Sequence, residues 1–324
     1  MTIHIEVRGL EKQFPLKAGL FSRSKERVHA VNGVSFAIPK GTTLGVVGES
    51  GCGKTTTARL LLRVVEPDRG VFRFEGIENV FQLPEEELKR VRSKMQYIFQ
   101  DPYNSLNPKM LVRDIVTEPL RYRATLTPKE LSRRASELLE HVGLSSEDAR
   151  KYPHEFSGGQ RQRISIARAL SSHPSFIICD EPVSSLDVSI QSQILNLLID
   201  LQKELGITYL FIAHNLSVIF YMSDTVSVMY TGRIVEMAPA KELFQNPLHP
   251  YTQLLIKTLD PEARKDPFIK EDTGEVPSLI YYPTGCTFYP RCPRRQSRCL
   301  EAFPPLENQG VEHQVACYFP APLI

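Results

Sequence analysis

The most constraining feature of this chain is a glycine-rich loop at residues 48–55, whose sequence GESGCGKT matches the pattern G-x-x-x-x-G-K-[ST]. In this pattern the glycines let backbone N–H groups surround phosphate oxygens. Lys54 places a positive charge near the β- and γ-phosphates, and the Thr55 hydroxyl can bind Mg²⁺. An apolar run at residues 43–47 precedes the loop and a helix-like segment at residues 56–65 follows it. This order directs a helix N-terminus at an anion, so the segment predicts a nucleotide-phosphate site.

The composition is that of a globular protein. With 324 residues the chain can bury a full core, and we expect one large domain plus an appendage. A formal net charge of +2 does not favour binding to nucleic acid or to anionic lipid, so no nucleic-acid partner is expected. No apolar stretch approaches the ~18 residues that a membrane span needs, and the N-terminus lacks a basic-then-apolar signal pattern. We therefore expect a cytosolic chain that reaches any membrane through a partner.

Helical periodicity appears in three segments between the motifs. Residues 83–93 predict a short charged helix, and residues 127–142 predict a second helix that Thr127 caps. Apolar residues at helical spacing predict a longer helix over residues 185–205, which Gly206 ends. After about residue 239 prolines become frequent, which predicts a separate, loop-rich appendage.

Four short apolar runs each end at a polar residue. The runs are residues 43–47 before the phosphate loop, 95–99 before Gln100, 176–179 before Asp180 and Glu181, and 209–213 before His214. Runs of this length with helices between them are typical of buried parallel strands. Because ligands bind at the carboxyl ends of such strands, we expect the four polar ends to meet at one edge of the sheet, over the nucleotide phosphates.

These polar ends carry the groups that phosphoryl transfer to water requires. Asp180 suits the Mg²⁺ shell, and Glu181 beside it suits the base or the group that orients the attacking water. Gln100 can reach both metal and water, and His214 can contact the γ-phosphate. The alternative for Asp180 and Glu181, a solvated strand end, is disfavoured because four apolar residues precede them and Pro182 follows.

A second anion site is predicted at Ser157, Gly158 and Gly159, which precede a helix-like run at residues 164–170. A serine and two glycines at the start of a helix form a cradle from a hydroxyl and backbone N–H groups. The chain thus carries one phosphate loop and one additional anion site.

The motifs and their order resemble those of the ATP-binding-cassette (ABC) ATPases over roughly residues 5–240. The matching elements are the phosphate loop at 48–55, the Q-loop residue Gln100, the signature at 157–160, the Walker B strand at 176–180 with the adjacent Glu181, the D-loop at 185–187 and the switch residue His214. The resemblance implies an α/β P-loop NTPase fold with a mixed central sheet. It places an ABC ATPase domain at residues 1–240, with a helical subdomain inserted at about residues 101–165, and a small cysteine-containing extension at residues 241–324.

The resemblance also implies roles for individual residues. ATP contacts would come from Phe14, Gly48, Glu49, Ser50, Gly51, Cys52, Gly53, Lys54, Thr55, Thr56, Ser157, Gly158, Gly159, Gln160 and Asp187. Mg²⁺ ligation would fall to Thr55, Gln100 and Asp180, and catalysis to Glu181, His214 and Gln100. In such ATPases the signature of one subunit completes the ATP site of another. A chain with one copy of each motif is therefore expected to dimerise around two ATP molecules.

Further segments resemble one branch, the ATPases of oligopeptide and dipeptide importers. They are the Q-loop extension at residues 100–108, the His-Pro-Tyr motif at 247–252 and the cysteine-bearing segment at 285–317; an insertion at 15–27 is similar to that of the F-like subunit. This resemblance implies ATP hydrolysis that powers import of di- or oligopeptides. The implied partners are a second, non-identical ATPase, two transmembrane permease subunits and, indirectly, an extracytoplasmic solute-binding protein. The chain would lie at the cytoplasmic face of the inner membrane.

Other functions remain open on the sequence alone. Similar ATPases serve nickel and oligosaccharide importers, and soluble ABC proteins acting on ribosomes or DNA share all the catalytic motifs. Those soluble proteins commonly fuse two cassettes or carry long coiled coils, and this chain shows neither. The signature at residues 157–160 is not expected in a plain P-loop kinase, so that alternative is disfavoured.

Four of the six cysteines, Cys286, Cys292, Cys299 and Cys317, lie in the extension. Disulfides are disfavoured in a cytosolic protein, so a metal centre is the better account. The five, six and seventeen residues between successive cysteines do not match the short zinc-knuckle spacing. Four thiolates in a proline-framed loop suit a [4Fe–4S] cluster, and the family resemblance points the same way. Structural zinc is the second alternative and free thiols the third.

Overall fold

The computed structural model describes residues 2–16, 26–121, 126–259 and 279–321. Its strands are β1 (Ile3–Pro15), β2 (Arg27–Pro39), β3 (Thr43–Val47), β4 (Arg69–Phe74), β5 (Met95–Ile98), β6 (Phe176–Asp180), β7 (Thr208–Ile212), β8 (Thr225–Tyr230), β9 (Arg233–Pro239), β10 (Glu307–Asn308) and β11 (Gln314–Val315). The predicted insertion at residues 15–27 lies mostly outside the described residues.

The α-helices alternate with the strands over residues 43–98 and 158–230. They are α1 (Lys54–Leu61), α2 (Glu85–Arg92), α3 (Pro102–Ser105), α4 (Val112–Val116), α5 (Glu118–Arg121), α6 (Pro128–His141), α7 (Gly158–Leu170), α8 (Val188–Leu205), α9 (Leu216–Met222), α10 (Ala240–Gln245) and α11 (Pro250–Lys257). Within the residues that the structure describes, none of the helices combines the length and the apolar character that crossing a bilayer requires.

The chain divides into two compact units. The helix-rich unit comprises residues 1–2, 39–42 and 82–211, and the strand-rich unit comprises residues 3–38, 43–81 and 212–324. The helices α3 to α6 and the start of α7 fall within the predicted helical subdomain, residues 101–165. The assignment of that segment as a subdomain stays a prediction.

The strand-rich unit holds two sheet segments. In the first, the strand order is β2-β1-β4, and β1 pairs antiparallel with β4 so that Ile5 lies opposite Phe74. In the second, the order is β10-β11-β9-β8-β3, with β3 parallel to β8 and β8 antiparallel to β9. The combination of parallel and antiparallel pairs confirms the predicted mixed sheet. Every residue of β3 is buried, as expected for a strand covered on both faces.

The helix-rich unit contains the strand order β7-β6-β5, in which β5 and β6 run parallel with Ile98 opposite Cys179. All residues of β6 are buried. The predicted helix at 127–142 is present as α6, and Thr127 caps it by accepting a hydrogen bond from the backbone of Glu130. The predicted helix at 185–205 is present as α8, which begins three residues later than predicted.

Gly206 ends α8 in the left-handed conformation, with a φ of 66°, and its N–H donates to the carbonyl of Gln202. A side chain at this φ is strained, so we expect Gly206→Ala to lower the free energy of unfolding by about 1 kcal/mol. Chemical denaturation of the variant measures the change. Lys203→Ala, on the exposed side of the same helix, is the control, and equal stability of the two variants would contradict the prediction.

Candidate nucleotide site

The phosphate loop follows β3 in the strand-rich unit, and two of its glycines are sterically required. A Cβ atom on Gly48 would lie 2.1 Å from the carbonyl oxygen of Met229. Gly53 has a φ of 106°, and a Cβ there would lie 2.3 Å from the carbonyl oxygen of Ala30. Both separations are far below van der Waals contact. The loop therefore presents bare backbone, which is what close approach of phosphate oxygens needs.

Lys54 is the buried cation of this loop. Its side chain is 6% exposed, and Nζ donates to the carbonyl oxygens of Gly48 at 2.7 Å and of Glu49 at 3.0 Å. A buried ammonium group needs such partners because it has left water. The thiol of Cys52 lies 3.7 Å from Nζ, and burial raises the pKa of this thiol, which keeps it neutral. The loop thus concentrates one positive charge where the sequence predicts phosphate binding.

His214 lies in the same unit, beyond the end of β7. The backbone N–H of Ala213 donates to the carbonyl of Val46 at 3.3 Å, so the residue before His214 lies beside β3. His214 itself is exposed. Phe14 is half-buried near the end of β1, with the ammonium of Lys12 5.5 Å from its ring centroid. The assignment of Phe14 to the adenine ring stays a prediction.

The helix-rich unit brings Gln100 and Glu181 into direct contact. Gln100 Nε2 donates to Glu181 Oε2 at 2.9 Å, and the hydroxyl of Ser185 lies 3.5 Å from the carbonyl of Gln100. The parallel pairing of β5 and β6 explains this contact, because the register partners Ile98 and Cys179 lie at the carboxyl ends of the two strands. Two of the predicted catalytic side chains are therefore adjacent in this structure.

Glu181 adopts a backbone conformation that is rare for a residue with a side chain. Its φ is 49°, in the left-handed region. The hydroxyl of Ser184 donates to the Glu181 carbonyl at 3.1 Å and holds the turn in place. A conformation of this kind costs about 1–3 kcal/mol and occurs often at functional sites.

Asp180 has a partner that the sequence analysis did not identify. The hydroxyl of Tyr97 in β5 donates to Asp180 Oδ2 at 2.5 Å, and Asp180 is 5% exposed. A hydrogen-bond donor to one carboxylate oxygen fixes the orientation of the other oxygen. The only signal in the sequence is a tyrosine near the end of a strand, because the strand register that brings it to Asp180 cannot be read there.

The signature residues begin α7 with a reciprocal cap. The hydroxyl of Ser157 accepts from the N–H of Gln160 at 3.4 Å, and the Gln160 side chain accepts from the N–H of Ser157 at 3.0 Å. A Cβ on Gly159 would lie 2.5 Å from Ile190, so glycine allows α7 and α8 to approach closely at this point. Ser157 and Asp187 are both exposed at their helix starts.

The segment after Gln100 is held by arginines of α7. The guanidinium of Arg161 lies 3.9 Å from the ring centroid of Tyr103, which is 61% exposed. Arg168 donates to the carbonyl of Ser105 at 2.7 Å. The helix that begins with the signature therefore also fixes the segment that begins at the Q-loop.

None of the four cysteines of the extension, all of them among the described residues, forms a disulfide bond. Burial, together with the neighbouring thiols, raises the pKa of Cys286 to about 12 and that of Cys317 to about 11. The backbone N–H of Cys286 donates to the carbonyl of Cys299 at 2.7 Å. However, among the described residues no group of three or more histidine, cysteine or acidic side chains is placed to hold a metal ion. The predicted iron–sulfur centre therefore has no support in the arrangement of these side chains.

Two family models match the chain. The model described as "ABC transporter" matches residues 31–184, and the model described as "Oligopeptide/dipeptide transporter, C-terminal region" matches residues 235–299. The chain belongs to the ABC transporter family, as its motifs predict.

Curated relatives match the chain over nearly its whole length. The oligopeptide transport ATP-binding protein AppF of Bacillus subtilis (strain 168) is 48% identical over 97% of this chain and 96% of the relative. The dipeptide transport ATP-binding protein DppF of Escherichia coli (strain K12) is 45% identical over 95% of this chain and 92% of the relative. These similarities confirm the predicted branch of the family.

A solved structure confirms the predicted fold class. The dimeric post-hydrolysis state of the ATP-binding cassette MJ0796, bound to ADP and Pi, matches with a TM-score of 0.64 at 26% identity. The match covers 73% of this chain and 98% of that chain. A non-identical partner ATPase is not addressed by these similarities and stays a prediction.

The Tyr97–Asp180 hydrogen bond generates a test of the metal assignment. We expect Tyr97→Phe to raise the Mg²⁺ concentration for half-maximal ATPase activity by about tenfold, because an outer partner of a metal ligand is lost. A magnesium titration of the full-length protein measures this. Tyr209→Phe removes the hydroxyl of another buried tyrosine, which donates to Leu198, and serves as the control. Identical magnesium curves for both variants would exclude the role given to Tyr97.

Proposed function

We propose that this chain is an ATP-hydrolysing subunit that powers import of di- or oligopeptides through partner permease subunits. The relatives named as peptide transport ATP-binding proteins support the cargo class. The observation that carries the coupling is the hydrogen bond between Gln100 and Glu181, because the segment at residues 101–108 directly follows Gln100. A change at Glu181 during hydrolysis would reach this segment directly.

The proposed roles follow the chemistry of each side chain. Residues 48–56 bind the nucleotide phosphates, and Lys54 supplies the positive charge. The loop suits phosphate groups because its backbone is bare at Gly48, where a Cβ atom would fill the space. Thr55, Gln100 and Asp180 offer oxygen ligands of the kind that Mg²⁺ prefers. When bound, Mg²⁺ neutralises charge on the β- and γ-phosphate oxygens. Glu181 orients the attacking water, and His214 contacts the γ-phosphate.

The assembly is proposed from the signature. Ser157 and Asp187 are exposed, which leaves both available to a second ATPase subunit. Ser157, Gly158, Gly159 and Gln160 of one subunit would complete the ATP site of the other. The two ATPase subunits would dock on two permeases at the cytoplasmic face of the membrane, with residues 103–108 as the contact, and an extracytoplasmic solute-binding protein would deliver the peptide.

Glu181→Gln tests the hydrolytic role. The amide keeps the size of the side chain but cannot accept a proton, so we expect ATP binding to persist while turnover falls by about a hundredfold or more. Steady-state ATPase assays together with nucleotide-binding measurements separate the two effects. Glu140→Gln, an exposed glutamate of α6, is the matched control. Near-normal turnover by Glu181→Gln would remove Glu181 from this role.

Dimerisation has its own test. If each ATP site needs the signature of a second subunit, ATPase activity per subunit rises with protein concentration and Ser157→Arg abolishes it. A verified monomer that hydrolyses ATP at full rate would contradict the assembly proposed here.

We propose separately, from the chemistry of the four cysteines and not from their arrangement, that the extension binds a [4Fe–4S] cluster. The basis is that none of the four cysteines forms a disulfide bond, that neighbouring thiols add to the effect of burial in raising the pKa of Cys286 and of Cys317, and that the N–H of Phe319 donates to the sulfur of Cys317 at 3.4 Å. Metal binding would require these thiols to lose their protons. Binding of a cluster would therefore have to supply the free energy that deprotonation of these thiols costs.

Anaerobic purification followed by iron, sulfide and zinc analysis decides this. We expect about four iron and four sulfide per chain, loss of both in Cys286→Ser, and retention in Cys179→Ala, a buried cysteine of β6. A colourless, zinc-loaded protein would favour structural zinc, and a metal-free protein would favour free thiols.

A further inference from the structure

The second residue of the phosphate loop, Glu49, is held by the C-terminal part of the chain. The backbone N–H of Glu49 donates to the hydroxyl of Tyr251 at 2.9 Å. A guanidinium nitrogen of Arg291 lies 3.0 Å from each carboxylate oxygen of Glu49. Tyr251 and Arg291 both belong to the segment that the "Oligopeptide/dipeptide transporter, C-terminal region" model matches. The phosphate loop is thus contacted by a part of the chain outside the general cassette match at residues 31–184.

The remaining polar group of Glu49 faces into the loop. Its carbonyl oxygen accepts from Lys54 Nζ at 3.0 Å and from the N–H of Cys52 at 3.2 Å. Glu49 is therefore held through its N–H by Tyr251 and through its carboxylate by Arg291. The same residue also positions Lys54, the cation of the loop. Any rotation of Glu49 would move a ligand of Lys54.

The two holding side chains are themselves rigid. Tyr251 is fully buried, and its ring centroid lies 4.5 Å from that of Tyr230 and 5.5 Å from that of Phe288. The Arg291 side chain is 8% exposed and lies over the rings of Tyr230 and Phe288, at 5.8 and 5.6 Å. Packed aromatic rings and a buried guanidinium lose little freedom when they hold the loop, so the loop is pre-organised before any nucleotide arrives.

We propose that Tyr251 and Arg291 are positioning residues that set the affinity of the phosphate loop for ATP. They act through Glu49 rather than on the nucleotide. Tyr251 fixes the peptide plane that precedes Glu49, and Arg291 fixes the side chain. The C-terminal segment of this branch of the family therefore tunes the ATP affinity of the cassette. This inference rests on the proposed function, in which residues 48–55 bind the phosphates.

The first test uses Tyr251→Phe, which removes one oxygen atom and keeps the ring packing. We expect the full-length variant to bind a non-hydrolysable ATP analogue with Mg²⁺ about three- to tenfold more weakly, from one lost hydrogen bond. The KM for ATP should rise by the same factor while kcat stays unchanged. Tyr209→Phe, which removes a buried hydroxyl far along the chain from the loop, should leave both values unchanged. Unchanged affinity in Tyr251→Phe would overturn the proposal for Tyr251.

The second test is a double-mutant cycle between Arg291→Met and Glu49→Gln. If Arg291 acts through the carboxylate of Glu49, the double variant binds the analogue no more weakly than the weaker single variant. Arg291→Lys, which keeps the charge, should recover part of the affinity. Additive losses in the cycle, or no loss in Arg291→Met, would overturn the role of Arg291.

The controls separate this inference from the proposed function. If the unmodified protein fails to bind the analogue, the phosphate-loop assignment itself fails. If the unmodified protein binds the analogue and the Tyr251 and Arg291 variants bind it equally well, the phosphate-loop assignment is retained. Only the positioning role is then rejected. Thermal unfolding of each variant checks that the protein is folded at the assay temperature, so that a loss of affinity is not caused by unfolding.

Discussion

A buried ammonium group governs the phosphate loop, and much of the site follows from it. Lys54 is almost fully removed from water and has the carbonyls of Gly48 and Glu49 as ligands. Such a charge is tolerated only while its partners stay in place, so the loop must keep its closed shape. The same closed shape leaves no room for a side chain at Gly48. In the proposed function, a phosphate group that replaced these carbonyls as the partner of Lys54 would meet a charge that is already positioned.

The C-terminal segment extends this constraint. Tyr251 and Arg291 hold the N–H and the carboxylate of Glu49, whose carbonyl is one of the two ligands of Lys54. The segment that carries the four cysteines thus includes a residue, Arg291, in direct contact with the loop. Cys292 directly follows Arg291 in the chain, so one of the four cysteines is adjacent in sequence to a residue that contacts the loop.

The sequence predicted the elements that depend on short-range patterns. The phosphate loop, the cap at Thr127, the end of α8 at Gly206 and the apolar strand β6 are all present, because local propensity and burial agree at these places. The contacts Tyr97–Asp180, Tyr251–Glu49 and Arg291–Glu49 could not be predicted, since each joins residues more than 80 positions apart. Such contacts depend on strand register and on the path of the C-terminal segment, which leave no periodic signal in the sequence. The metal centre was inferred from the cysteine content, the cysteine spacing and the family resemblance, and the arrangement of the described side chains does not support it.

The left-handed conformation of Glu181 has a consequence for how this protein can change. A glycine at that position would relieve the backbone strain. A chain selected for stability alone would therefore lose the carboxylate. The turn that follows β6 instead retains an unfavourable conformation, and the rest of the fold has to compensate for it. Given the hydrolytic role proposed for Glu181, selection on turnover and selection on resistance to unfolding would oppose each other at this single residue.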